Sequence, residues 1–159
     1  MMSRSNPIFS NGGVTMVELL PAKILYVDND VETCEWIKAS FFKDERDFEV
    51  TCISGTTEAQ DLIQLSSFDV FVLEYSLLEM TGAELCRKIR LTDRNTPVVI
   101  YSALYREIDR ERAVRAGATA FVIKSDGLSN LSATIRRLLD RRPVITRNYH
   151  SGRRSSSIL

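Results

Sequence analysis

From Lys23 to Leu139 one pattern repeats five times: a short, mainly apolar run, then a stretch whose apolar residues recur at helical spacing. The runs are Ile24-Leu25-Tyr26-Val27, Phe48-Glu49-Val50-Thr51-Cys52-Ile53, Val70-Phe71-Val72-Leu73, Pro97-Val98-Val99-Ile100-Tyr101 and Ala120-Phe121-Val122-Ile123. Between and after them lie Val31, Cys34, Ile37, Ala39 and Phe41; Ala59, Leu62, Ile63 and Leu65, with Thr56 or Thr57 as a candidate N-cap; and Leu85, Ile89 and Leu91 beyond Gly82. The fourth helical stretch holds Ile108, Ala113 and Val114 and ends at Ala116-Gly117-Ala118; the fifth holds Leu131, Ile135, Leu138 and Leu139. Strands joined by helical crossovers must run parallel, and continuous apolar strands suit a sheet covered on both faces. Right-handed crossovers then give an α/β, three-layer, doubly wound (βα)5 fold of the flavodoxin-like kind with a five-stranded parallel sheet. Such folds carry function at the carboxyl ends of their strands.

The rest of the 159 residues leaves room for tails but not for a second large domain. The expected division is a flexible N-terminal segment at 1–21, a folded domain at 22–142 and a basic, disordered tail at 143–159. The chain's 21 Lys and Arg balance its 21 Asp and Glu, yet the neutrality is a sum of opposites. Residues 22–140 hold 15 basic and 20 acidic side chains, whereas residues 141–159 hold five arginines (Arg141, Arg142, Arg147, Arg153, Arg154) and no acid. The three cysteines, Cys34, Cys52 and Cys86, form no CxxC pair and argue against a disulfide framework or a zinc site. The one histidine, His150, lies in the tail, which argues against a His-based triad within the folded region. Ahead of Lys23 the broken apolar stretch Val14–Leu20 is too short and too polar for a signal-peptide core or a membrane span, so a cytoplasmic location is expected. Met16 is an alternative start.

The residues that follow the strands are Asp28, Asn29 and Asp30 after the first, Glu74 after the third, Ser102 after the fourth and Lys124 after the fifth. Converging on one sheet edge, carboxylates, a hydroxyl and an ammonium suit a hard divalent cation and a phosphoryl group. Each alone would be an ordinary polar loop residue. Their placement at successive strand ends is the signal.

Four motifs then fall in order: Lys-Ile-Leu-Tyr-Val-Asp-Asn-Asp at 23–30, Phe-Asp-Val-Phe-Val-Leu-Glu-Tyr-Ser-Leu-Leu-Glu-Met-Thr-Gly at 68–82, Thr-Pro-Val-Val-Ile-Tyr-Ser-Ala at 96–103, and Ala-Gly-Ala-Thr-Ala-Phe-Val-Ile-Lys-Ser at 116–125. From Lys23 to about Arg142 the chain resembles the CheY-like receiver domains of two-component response regulators. The resemblance implies phosphorelay signalling without enzymatic activity. It puts Glu74 at the phosphoacceptor position, Asp28 and Asn29 at the acidic pair, Ser102 and Lys124 at the phosphoryl-sensing positions and Phe121 at the aromatic switch. Magnesium would be held by Asp28, Glu74 and the backbone carbonyl of Ser76.

The departures are informative. Family members carry Asp where Glu74 stands, and its extra methylene moves the carboxylate by about 1–1.5 Å, a displacement that matters for in-line phosphoryl transfer. The longer arm points to imitation of the phosphorylated state. Asn29 replaces the second acid, so a magnesium site would be weakened; Asp30 is expected as an exposed N-cap. Leu78 and Ser125 stand where many family members have proline, and the second loss removes the usual residue for a cis peptide beside the lysine.

The reading is therefore an atypical single-domain receiver that works independently of phosphorylation, by protein–protein contact with a sensor kinase or downstream effector, or as a homodimer. The expected surface is formed by the fourth helix, fifth strand and fifth helix of the repeat, with Tyr105, Arg106, Arg110 and Phe121. No nucleic-acid domain or membrane role is expected. The alternative is a conventional magnesium-dependent phosphoacceptor. A haloacid-dehalogenase-like phosphatase, suggested by Asp28-Asn29-Asp30, lacks the acidic pair after the lysine and any cap insertion; flavin binding lacks a phosphate loop after the first strand.

Overall fold

A computed structural model of the protein describes residues 5–10, 13–18, 21–44, 48–103 and 105–140. The tail at 143–159, with His150 and three of the five arginines, lies outside the described residues, as do Arg141 and Arg142. Near the N-terminus, β1 (Ser5–Ser10) and β2 (Gly13–Glu18) pair antiparallel, from Ser5 opposite Glu18 to Ser10 opposite Gly13. This hairpin sits in the segment read from sequence as flexible. The overlooked signal is Asn11-Gly12, the dipeptide that favours a two-residue hairpin connection.

Pro21–Arg142 form a compact unit of their own. Its strands are β3 (Ala22–Val27), β4 (Phe48–Ile53), β5 (Val70–Leu73), β6 (Val98–Ser102) and β7 (Ala120–Ile123), all parallel, in the order β4-β3-β5-β6-β7. The helices are α1 (Val31–Asp44), α2 (Thr56–Leu65), α3 (Gly82–Thr92), α4 (Glu107–Arg115) and α5 (Leu128–Leu139), with a 3-10 turn at Lys124–Asp126. Because strand side chains alternate between faces, Leu25, Val27, Phe71, Leu73, Val98 and Ile100 enter a core with α2, α3 and α4. Ile24, Tyr26, Val70, Val72, Val99 and Tyr101 enter a second core with α1 and α5. The three-layer α/β fold expected from the sequence is the one observed.

Several helical faces differ from the sequence reading. Cys34, Ile37 and Phe41 are buried on α1, but Val31 and Ala39 are exposed, as are Leu65 on α2 and Leu91 on α3. On α4 the reading holds for Ala113 alone: Ile108 and Val114 face solvent, and the other buried residue of the helix is Asp109, with Ala116 just beyond. A nine-residue helix offers only two and a half turns, so apolar spacing alone cannot choose its inner face. The N-cap of α2 is Gly55 rather than Thr56 or Thr57, and Glu79, from the loop after β5, accepts from the Thr56 amide and hydroxyl. That cap comes from 23 residues away, beyond the reach of local sequence rules.

Helix α3 is set against the sheet by two devices. Thr81 and Glu84 form a reciprocal capping box, the Thr81 hydroxyl accepting from the Glu84 amide while the Glu84 carboxylate accepts from the Thr81 amide. Gly82 donates to the Tyr75 carbonyl at 2.7 Å, and a Cβ at Gly82 would stand 2.4 Å from the Glu74 carbonyl oxygen. Only glycine permits this approach of helix to strand end. Gly82→Ala is expected to destabilise the fold by about 2 kcal/mol or more, measured by urea denaturation, because backbone rather than a mobile side chain would have to yield.

Candidate functional site

Parallel packing brings the carboxyl ends of β3, β5, β6 and β7 to one edge. Asp28 follows β3 directly, its amide donating to the Ile53 carbonyl of β4 at 3.1 Å. Glu74 follows β5, its amide donating to the Val27 carbonyl at 2.8 Å. Both carboxylates are nearly sealed from solvent, the residues being 2% and 6% exposed. Lys124, the first residue after β7, bridges them: Nζ lies 2.7 Å from Asp28 Oδ2 and 2.6 Å from Glu74 Oε2. It also stands 5.7 Å from the centre of the Tyr101 ring. Ser102, buried at the end of β6, completes the edge.

The remaining carboxylate oxygens are held as well. Asp28 Oδ1 accepts from the Asp30 amide at 2.9 Å, and Glu74 Oε1 accepts from the Ser76 amide at 3.1 Å. The Tyr26 hydroxyl donates to Asp28 Oδ2 at 2.7 Å. Tyr26 was read from sequence only as part of an apolar strand; its place two residues before Asp28, on the same side of the pleat, is the signal that marks it. Burial, then the negative charge and hydrogen bond of Asp28, push the Tyr26 phenol well above the ordinary tyrosine range, so it stays a donor. Burial opposes the charge on Lys124, but the hydrogen bonds and charges of Asp28 and Glu74 together hold its ammonium above the usual lysine value. Asp30 turns outward, where its carboxylate accepts from the Glu32 amide and the Thr33 hydroxyl at the start of α1.

Asn29 Oδ1 is buried without a hydrogen-bond partner. That acceptor, with Asp28 and Glu74, is an oxygen set a hard cation could use. The set is poor in charge, however: two carboxylates share one ammonium, and their other oxygens already accept backbone amides. The residues present therefore fit a weakened magnesium site rather than a strong one.

The site continues toward α4. Tyr75, next to Glu74, packs its ring 6.3 Å from Phe121 on β7, and Phe121 in turn meets Tyr105 edge-on at 6.2 Å. Phe121 is half-buried and Tyr105 half-exposed. The Tyr75 hydroxyl and Asp109 Oδ1 are both buried without an aligned hydrogen-bond partner; burial, then the Asp109 side chain, raise the Tyr75 phenol. Asp109, 2% exposed, also receives Arg106 Nε at 2.5 Å and Arg112 at 3.8 Å. Burial would raise the Asp109 carboxyl, but Tyr75, Arg106 and Arg112 together hold it below the usual range. Arg110 pairs with Glu107 at 2.9 Å. Tyr105, Arg106 and Arg110 thus share the exposed side of α4 and its approach.

The bridge generates a prediction. Lys124→Met leaves two buried carboxylates without a cation and is expected to cost about 3 kcal/mol near pH 7 in denaturant unfolding. The folded-state pKa of Lys124 is raised, so its contribution is complete below the unfolded lysine value of about 10.4 and fades as pH rises through the folded value. The gap between wild type and variant is therefore expected to narrow above about pH 10.4; a gap that widens there contradicts the bridge.

Comparison with known proteins agrees with this geometry. Residues 24–136 match the family model of the response regulator receiver domain. Response regulator MprA of Mycobacterium sp. (strain KMS) is 30% identical over 122 residues, covering 77% of this chain and 52% of its own length. The chain thus spans about half the length of the curated relatives it matches. Among solved structures, the receiver domain of the Francisella response regulator 1452 is 26% identical with a TM-score of 0.69, over 76% of this chain and 98% of that one. A two-component response regulator from Clostridium difficile is 28% identical with a TM-score of 0.69, over 76% and 97%. With its parallel sheet order and its carboxylate–lysine edge, the chain belongs to the response regulator receiver family.

Proposed function

We propose that this receiver domain signals by protein contact without being phosphorylated, Glu74 and Lys124 forming a permanent ion pair where other receivers await a phosphoryl group. The observation that carries the reading is the 2.6 Å contact between Lys124 Nζ and Glu74 Oε2. A longer acid at the acceptor position places its charge on the sensing lysine, and the Ser76 amide and Lys124 hold both of its oxygens. An incoming phosphoryl donor would have to compete for a nucleophile already engaged at two points. The neighbouring groups are engaged as well: Asp28 is tied to Tyr26 and Lys124, and Ser102 is buried.

Magnesium, where bound, would supply charge neutralisation at this edge. Asp28, Glu74, the Asn29 side-chain carbonyl and the Ser76 backbone carbonyl would hold it, weakly. Contact with a sensor kinase, an effector or a second copy is assigned to the face of α4, β7 and α5, where Tyr105, Arg106 and Arg110 are exposed. The route from Glu74 to that face runs through Tyr75 to Asp109 and through Phe121 to Tyr105. No helix among the described residues is long and apolar enough to cross a membrane, which suits action on a soluble partner in the cytoplasm.

Incubation with magnesium and acetyl phosphate is expected to leave the intact mass unchanged. A gain of about 80 Da that maps to Glu74 would overturn the reading in favour of a conventional phosphoacceptor. In parallel, Glu74→Gln removes the charge while keeping the shape, and is expected to shift amide resonances of α4 and β7 in two-dimensional NMR spectra. Shifts confined to the neighbours of residue 74 would show that the pair does not set the contact face. Restoring the acidic pair with Asn29→Asp is expected to tighten magnesium binding at least about tenfold in calorimetric titration, since a unit charge a few ångströms away is worth several kcal/mol at a partly buried site.

A further inference from the structure

Two of the three cysteines meet on one side of the sheet. Cys34 lies in the first turn and a half of α1, buried against the core that α1 and α5 share with the sheet. Cys52 lies on β4, an edge strand, half-buried and packed against the same core. The Cys52 thiol donates to the Cys34 backbone carbonyl at 3.2 Å, which seats the Cys52 sulfur directly against residue 34. The third thiol, Cys86 on α3, is buried in the core on the opposite face, so the sheet stands between it and the pair. Neither thiol of the pair has a part in the phosphoryl-type site.

We infer that Cys34 and Cys52 form an oxidisable dithiol that a hydroperoxide converts into an intramolecular disulfide joining α1 to β4. The two sulfurs divide the work unequally. Cys52 is half-buried on an edge strand, whereas Cys34 is only 4% exposed, so Cys52 is the sulfur a peroxide reaches. Contact with Cys52 and burial push the Cys34 thiol up. Cys52 therefore attacks first, its sulfur taking one peroxide oxygen as the O–O bond breaks, which gives Cys52 sulfenic acid and, from hydrogen peroxide, one water. The Cys34 sulfur then attacks the Cys52 sulfur, the S–O bond breaks, and the departing hydroxide leaves as a second water with the proton from Cys34. Two thiols are oxidised to one disulfide, and one peroxide is reduced to two waters. The closure asks the Cys34 side chain to turn toward the Cys52 sulfur that already touches its backbone, bringing the sulfurs to about 2.05 Å.

The position of the pair gives the bond a consequence. Cys52 stands in register with Tyr26 on β3, and the next residue, Ile53, gives its carbonyl to the Asp28 amide. Helix α1 begins just after Asp28, Asn29 and Asp30. A disulfide here pins together the two elements that flank the loop carrying Asp28 and Asn29.

The test uses the full chain, reduced and then treated with stoichiometric hydrogen peroxide. The intact mass is expected to fall by about 2 Da. A non-reducing peptide map after alkylation in denaturant is expected to link Cys34 to Cys52, with Cys86 carrying the label. Cys86→Ser is expected to oxidise as wild type does. Cys34→Ser is expected to stop at a sulfenic acid on Cys52, a gain of about 16 Da that dimedone captures. Cys52→Ser is expected to react at least about tenfold more slowly. Alkylation of all three thiols after peroxide treatment of the wild type would overturn the inference, as would a linkage found only between chains; neither result depends on a variant folding.

Discussion

At the edge where β3, β5 and β7 end, two carboxylates face each other out of reach of water, and one ammonium lies between them. Removing a carboxylate from solvent costs several kcal/mol unless opposite charge and hydrogen bonds replace the water it loses. Lys124 supplies the charge to both, while the amides of Asp30 and Ser76 supply the rest. The arrangement also ties distant parts of the chain together: Asp28 and Lys124 are 96 residues apart in sequence and 2.7 Å apart in space. The order β4-β3-β5-β6-β7 makes this possible, because it seats β3 and β5 side by side and brings β7 to the same edge through β6. Fold and site are in this sense one solution, since the sheet needs its strand ends neutralised and the site needs them adjacent.

Much of this was legible in the residues. Continuous apolar runs such as Val70-Phe71-Val72-Leu73 allow hardly any reading but a strand buried on both faces, and their spacing by helices compels parallel pairing. Residues at strand ends were legible for the same reason, since their position follows from where the apolar run stops. What escaped were contacts made across the fold. Tyr26 hides within an apolar strand until the loop carrying Asp28 curls back over its hydroxyl. Glu79 caps α2 from the far side of a loop. The face of α4 escaped because Asp109, a residue every periodicity rule places outside, is drawn inward by Tyr75, Arg106 and Arg112. Periodicity reports the average preference of a side chain for water; it cannot report a neighbour that changes that preference.

The buried carboxylate of α4 has a consequence for how that helix is held. Most elements in this domain are fastened by apolar burial, which is nearly indifferent to ionic strength. Helix α4 buries little beyond the methyl groups of Ala113 and Ala116, and part of its attachment is the ionic cluster around Asp109, whose arginines extend into solvent. Dissolved ions screen such pairs over distances of about 8–10 Å at physiological concentrations. The pairs at Asp109 are closer than that length, so ions reach them only through the solvent-exposed arginines, and α4 is held partly by charge where the sheet beneath it is held by apolar burial.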